Sequence, residues 1–268
     1  MSTQEDYLKL LDLTYEVAQS LKGKPATDPY MPDCQKLAIE LFYHAATIYQ
    51  LRHGTKIPVP YSTGGSTFYD FPSVTVLARS VLETYLTMFE VFFEPTNDDE
   101  LRFSHALWQL SGFAIREKFP ISDPEYQKQA ADFQREIEEM RDRIKSTKKF
   151  KSLRSGEQRE VLKGKRKRDW TSTARAAGFG EQTIRQIYSY QSAYVHADGL
   201  SGAQILSLPT AQDQIEFIEI QMRIVMIVLS KMIIQYAKKF SESRAICDGN
   251  PDTFRMAKIW SGAVSLLP

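Results

Sequence analysis

The amino-acid sequence predicts an all-α protein. Apolar residues recur at helical spacing almost throughout the chain, strand-like alternation with period two is scarce, and Gly or Pro closes the periodic segments. About nine helices follow. The first runs from Asp6 to Lys22, with Leu8, Leu11, Tyr15, Ala18 and Leu21 on one stripe, and Gly23-Lys-Pro25 stops it. Asp33 can cap a second helix, from Cys34 to Arg52, closing at Gly54. After a loop rich in Pro, Gly, Ser and Thr, Asp70 or Ser73 opens a third that continues through Phe93 to the stop at Pro95. Asp98 or Asp99 starts a fourth, running to Lys118.

Ser122 or Asp123, followed by Pro124, reads as an N-cap with proline at the first helical position, and a charged helix runs from there to Ser146. Its apolar seam is narrow: Phe133, Ile137, Met140 and Ile144. A basic segment, partly helical at most, comes next. Two short helices follow at 172–177 and 181–197, separated by Gly178-Phe-Gly180. A long apolar helix covers 211–240 and a short one 252–262. No linker is long or polar enough to force a boundary, so the expected organisation is one bundle over 34–240. An N-terminal helical extension (1–33) precedes it, a basic insertion (145–168) interrupts it, and a C-terminal tail with a short helix (241–268) follows.

Length and composition describe an ordinary globular chain: 268 residues, 43% hydrophobic and 25% charged. The formal charge of +1 is a cancellation. Residues 145–168 hold eleven Lys or Arg and two Glu, a net +9, which leaves −8 for the remainder. Cys34 and Cys247 are far apart and match no metal-ligand or disulfide pattern, and the acidic N-terminus leads into no apolar segment, so a reducing cytoplasm is expected. Met222–Ile234 is apolar but short and interrupted by Arg223, Ser230 and Lys231, which predicts a buried core helix rather than a membrane span.

Two constellations carry possible chemistry. In the third helix Arg79 and Glu83 are four apart inside an apolar run, with Thr75 one turn earlier on the same face. Such a pair is partly buried, and it is either an internal ion pair that sets helix register or a polar active centre. Near the end of the helix over 181–197, Ser192 and His196 share a face with Arg185 and Ser189, and Tyr188 and Asp198 flank them. A histidine near a helix C-terminus suits proton transfer or a phosphate contact; packed beside tyrosines and hydrogen-bonded to Asp198, it is structural.

Arg79-x-x-x-Glu83, Trp170 after a basic stretch, and Tyr188-x-x-x-Ser192-x-x-Val195-His196-Ala-Asp198 together resemble a group of bacterial all-helical proteins related to the HEPN superfamily, over roughly residues 34–240. The resemblance implies a helical bundle and, in many members, a dimeric, metal-independent ribonuclease of toxin or phage-defence type. The family signature places an Arg four to six residues before a His. Here the nearest Arg before His196 is Arg185, eleven residues back and ~16 Å along the axis. The activity then requires Arg79 to supply the cation for a developing phosphorane, Glu83 to orient it, His196 to move the proton, and Tyr188, Ser192 and Asp198 to support them.

Lys163, Lys165, Arg166, Lys167 and Arg168 form the centre of the basic run and are expected to meet RNA or another polyanion, although a solvated loop explains the same charge. Two rival readings use other features. One is a non-catalytic helical interaction module, with Met222–Ile234 as a core or dimer seam. The other is a helix-turn-helix, with Ala174, Gly178 and Ile184 as its small residue, turn glycine and core aliphatic, presenting Gln182, Thr183, Arg185 and Gln186 to a DNA groove. No cofactor or metal is expected: His44, His53 and His105 lack ligand spacing, and no phosphate loop, dinucleotide glycine pattern or nucleophile elbow is present.

Overall fold

The computed structural model describes residues 3–23, 30–56, 67–116, 124–167, 169–196, 198–208 and 210–263, with the side chains of 124–131 and 206 left aside. Among them are thirteen α-helices: α1 (Thr3–Gln19), α2 (Met31–Leu51), α3 (Phe71–Met88), α4 (Asp98–Arg116), α5 (Pro124–Ser146), α6 (Lys148–Lys151), α7 (Ser155–Leu162), α8 (Trp170–Ala176), α9 (Glu181–Val195), α10 (Gly199–Ser207), α11 (Ala211–Lys239), α12 (Ser241–Gly249) and α13 (Pro251–Gly262). A π-helical turn, Phe89–Phe93, extends α3, and two two-residue strands, β1 (Thr55–Lys56) and β2 (Thr67–Phe68), pair antiparallel with Thr55 opposite Phe68. The protein is predominantly helical.

Thirteen helices stand where the sequence leads us to expect about nine, and those without a counterpart in that expectation are the short α6, α7, α10 and α12. Each is nine residues or fewer, too short for apolar periodicity to show. Helices this short are marginal alone and form because packing or capping holds them. In α6 the holding group is Asp99, whose carboxylate accepts hydrogen bonds from the backbone N–H of Lys148 and Lys149 at 3.0 and 3.1 Å.

The chain divides into two compact units, one formed by residues 1–88 with 171–268 and the other by 89–170. This replaces the expected single bundle with terminal extensions. In the discontinuous unit α11 is the axis. Every residue from Ile224 to Ile233 is buried, and α1, α3, α12 and α13 pack on α11. The segment expected to be a core helix is one, and no helix among the described residues is long and apolar enough to cross a membrane.

α1 belongs to this core rather than to an extension. Tyr7, Leu10, Val17 and Ala18 are fully buried, and the Tyr7 hydroxyl donates to the Ala45 carbonyl at 2.8 Å. Burying so polar a ring edge is tolerable because its one donor has a partner. Leu8 and Tyr15, placed on the stripe by sequence, face outward beside Phe42. The C-terminal helices are core as well: Cys247, Phe254 and Ala257 are buried.

Lys231 is the one charged residue inside the α11 run. Its Nζ donates to the carbonyls of Ala177 (3.2 Å) and Gly178 (2.9 Å) and lies 4.7 Å from the centre of the Phe179 ring. These carbonyls end α8, so the ammonium satisfies groups that the helix itself leaves open and faces the negative end of its dipole. Gly178 completes the turn at φ +78°, and a Cβ there would stand 3.2 Å from Lys231 Nζ.

In the second unit α4, α5 and α6 enclose Ala106, Leu110, Ile137, Met140, Ile144 and Phe150. Three of the four residues of the α5 seam are in that core, and Phe133 packs its ring on Phe113 at 6.2 Å. The segment from α6 through 167 closes over α4. Gly164, at φ +73°, lies so close to α4 that a Cβ would fall 2.9 Å from the Leu110 carbonyl oxygen. The basic insertion is therefore part of the unit's own packing.

Two outcomes follow in chemical denaturation. Gly178→Ala should lower stability by about 1–2 kcal/mol, because left-handed backbone carries that cost for an L-residue with a side chain. Burial holds the Lys231 ammonium below its ordinary pKa. Between the depressed and ordinary values the unfolded chain binds more protons than the native one, so this residue makes stability rise with pH across that window. The stability difference between wild type and Lys231→Met should shift in favour of wild type as pH climbs through the window; a pH-independent difference would contradict the assignment.

Candidate functional site

The first constellation forms as expected and gains a third member. Arg79, only 12% exposed, donates from Nε to Glu83 Oε1 at 2.8 Å along α3. Across to α9, its Nη2 donates to the Tyr188 hydroxyl at 2.8 Å, and the guanidinium carbon lies 4.3 Å from the centre of the Tyr188 ring. The Glu83 carboxylate also acts electrostatically on the phenol, so it bears on both partners of the Arg79–Tyr188 contact. Arg79 and Glu83 meet because a spacing of four stacks them on one helix face, and Tyr188 reaches them because α9 packs along α3.

Burial, and then the negative charge of Glu83, push the Tyr188 phenol above its ordinary pKa. It is neutral at physiological pH and accepts the Arg79 hydrogen bond. Arg79 Nη1 is buried without a partner among the described residues, while Glu83 remains 32% exposed. The guanidinium is thus already neutralised by a carboxylate in direct contact. Thr75 donates to the Phe71 carbonyl one turn back at 2.8 Å and is fully buried.

His196 stands elsewhere. It is the C-cap of α9, exposed, eight residues from Tyr188, which is ~12 Å along the axis and ~80° around it. Its backbone N–H bonds the Ser192 carbonyl at 3.1 Å, and among the described residues no side-chain hydrogen bond joins His196 to Ser192 or Asp198. Asp198 is the exposed residue preceding α10, where its carbonyl receives the Ser201 hydroxyl at 2.8 Å. Arg185 pairs with Glu181 at 2.8 Å on the same outward face. The polar stripe read from sequence is a solvent face, whereas Tyr188 lies on the inward side.

The five residues at the centre of the basic run also part company. Arg166 is only 4% exposed at its side chain and pairs with Glu90 at 2.7 Å, so it is internal to its unit rather than available to a phosphate. That corrects its place among the anion contacts: a buried guanidinium needs a carboxylate, and Glu90 supplies it. Lys163 and Lys165 both meet Glu160, and that carboxyl is held down to about 2 by their hydrogen bonds. Lys167 is exposed with no ion pair among the described residues, and Arg168 lies outside them. Lys148, Lys149, Lys151, Arg154 and Arg159 are exposed and likewise without a carboxylate in ion-pair contact among the described residues.

Ala174 and Ile184 are buried on either side of the Gly178 turn, as a helix-turn-helix arrangement expects, and Gln182, Arg185 and Gln186 are exposed. The same glycine and carbonyls are engaged by Lys231, which accounts for the turn without DNA. Among the described residues no group of three or more His, Cys, Asp or Glu comes together to hold a metal ion. Comparison with protein-family models, curated proteins and solved structures found no match.

Sequence reading passed over Gln191. It is fully buried, and its Nε2 donates to Gln221 Oε1 of α11 at 3.0 Å. The signal was its phase: Ile184, Tyr188, Gln191 and Tyr194 fall at three- and four-residue intervals on the inward side of α9.

Glu83→Ala, which strands a buried guanidinium, should destabilise the protein by about 1–3 kcal/mol, and Tyr188→Phe by about 1 kcal/mol. In a double-mutant cycle the two losses should be non-additive by 0.5 kcal/mol or more, on the order expected of groups in contact. Additive losses would mean that the three groups do not act together.

Proposed function

We propose that this protein is a non-catalytic helical binding module that engages RNA through the exposed cations of its smaller unit. The observation that carries the reading is the set Lys148, Lys149, Lys151, Arg154, Arg159 and Lys167: six exposed cations within twenty residues, none of them in ion-pair contact with a carboxylate among the described residues. Like charges held that close repel one another, and a phosphate backbone relieves the repulsion while releasing its own counterions. The helices α6 and α7 hold most of them on short rigid segments. Lys163 and Lys165 contribute less, since each first has to leave Glu160.

RNA is the polyanion of choice on the HEPN resemblance, which also makes a homodimer the expected assembly. The ribonuclease form of that resemblance is less well supported. Transition-state stabilisation needs a cation and a proton carrier around one phosphate. Here Arg79 is bound to Glu83, and His196 is more than two helical turns from the residue that Arg79 touches. The cluster of Arg79, Glu83 and Tyr188 is better read as a polar clamp between α3 and α9.

The purified full chain should bind an unstructured single-stranded RNA with an affinity that falls steeply with salt. Changing Lys148, Lys149 and Lys151 together to Gln should reduce the slope of log K against log salt by about 2, at ~0.7 per phosphate contact on a single strand. An unchanged slope would return the segment to a solvated surface and end the reading. Gel analysis of the same samples decides the enzymatic rival: cleavage abolished by both Arg79→Ala and His196→Ala would replace binding with catalysis.

A further inference from the structure

α1 leaves apolar side chains in water. Leu8, Leu11 and Tyr15 recur at intervals of three and four along one face of α1, the spacing of a buried stripe, yet Leu8 is 41% and Tyr15 44% exposed. With Phe42 of α2, and with Lys9 and Asp12, they line a surface groove of about 480 Å³. Tyr15 and Phe42 hold their ring centres 4.9 Å apart, and Tyr43, 63% exposed, has its ring centre 6.0 Å from that of Phe42. The groove therefore continues into a row of three aromatic rings. A contiguous apolar surface with a polar rim is the mark of an interaction site.

The rim says which partner fits. Asp12, Glu16 and Glu40 are exposed, and among the described residues none of them is in ion-pair contact with Lys or Arg. Glu40 has His44 at 3.8 Å, and Glu16 accepts a hydrogen bond from the Asn250 carboxamide. Lys9, the one cation lining the groove, is bound to Glu5 at 2.8 Å and lies in the field of Asp6 and Asp252 as well. Such a face repels RNA and anionic lipid. It also repels its own copy, since a two-fold dimer would bring these carboxylates against the same carboxylates of the partner. Cations are attracted twice over, by the carboxylates and by the open faces of Tyr15 and Tyr43. The cationic segment of the smaller unit lacks the apolar half of the match, because Phe150 and Leu153 are taken into that unit's core. Side by side, α1 and α2 present the furrow into which an amphipathic helix lays its apolar face.

We infer that the groove between α1 and α2 docks a basic amphipathic helix of a partner protein, its apolar side chains on Leu8, Leu11 and Phe42 and its cations on Tyr15, Tyr43 and Asp12. The surface belongs to the larger unit and uses none of the cations assigned to RNA.

The test is fluorescence anisotropy of a labelled peptide titrated with the full chain. The probe is a helix of about 18 residues with Leu at intervals of three and four and Arg elsewhere. Saturable binding of one peptide per chain is expected, with micromolar affinity that falls as salt is raised. Tyr43→Ala and Asp12→Lys alter exposed side chains and should leave the circular dichroism spectrum unchanged. Each should weaken binding about tenfold, the first by removing an aromatic anchor and the second by reversing a rim charge. The same peptide with Glu in place of Arg should not bind. Absence of saturable binding, equal binding of the Glu peptide, or unchanged affinity in either variant would overturn the inference. So would sedimentation showing a wild-type oligomer that dissociates in Tyr43→Ala, because a second copy would then be the occupant.

Discussion

The larger unit depends on a helix that has no side to show to water. From Ile224 to Ile233 α11 is buried all round, and each of its Ile, Leu, Val and Met side chains stabilises the fold by about 1.5–3 kcal/mol only if something covers it. The cover comes from both ends of the chain: α1 and α3 from the first 88 residues, α12 and α13 from the last 28. Their own buried faces are the counterpart of this demand. Tyr236 shows how completely the requirement is met, since its ring is fully buried and its hydroxyl donates to the Cys34 carbonyl of α2 at 2.9 Å.

Polar groups inside this apolar packing are consequential because they lack water as an alternative partner. Lys231 spends its ammonium on the carbonyls that end α8, which ties the α8–α9 turn to the central helix. Arg79, Glu83 and Tyr188 tie α9 to α3 in the same way. α9 also meets α11 directly, through the buried carboxamide pair of Gln191 and Gln221.

In the smaller unit charge has a different task. Asp99, Glu90 and Glu160 each answer part of the basic run, and they do so by holding α6, by burying Arg166 and by gathering Lys163 and Lys165. What is left over is an exposed set of cations presented by short helices. This exposed set is smaller than the +9 of the whole window.

By itself the sequence determined the helical class, nine of the helices to within a few residues, the buried character of Met222–Ile234 and the meeting of Arg79 with Glu83. All of these are set by contacts between residues three and four apart, which periodicity records. Only the tertiary structure decided that α1 and the C-terminal helices are core, that residues 89–170 form a unit of their own, and that Arg166 is internal. It likewise decided that Tyr188 rather than His196 joins Arg79, and that Gln191 faces Gln221. Each of those outcomes rests on a contact between residues remote in the chain, 109 apart for Arg79 and Tyr188 and 76 apart for Glu90 and Arg166. Spacing along one helix says which face a side chain occupies; which helix comes to meet that face is settled by the packing of the whole unit.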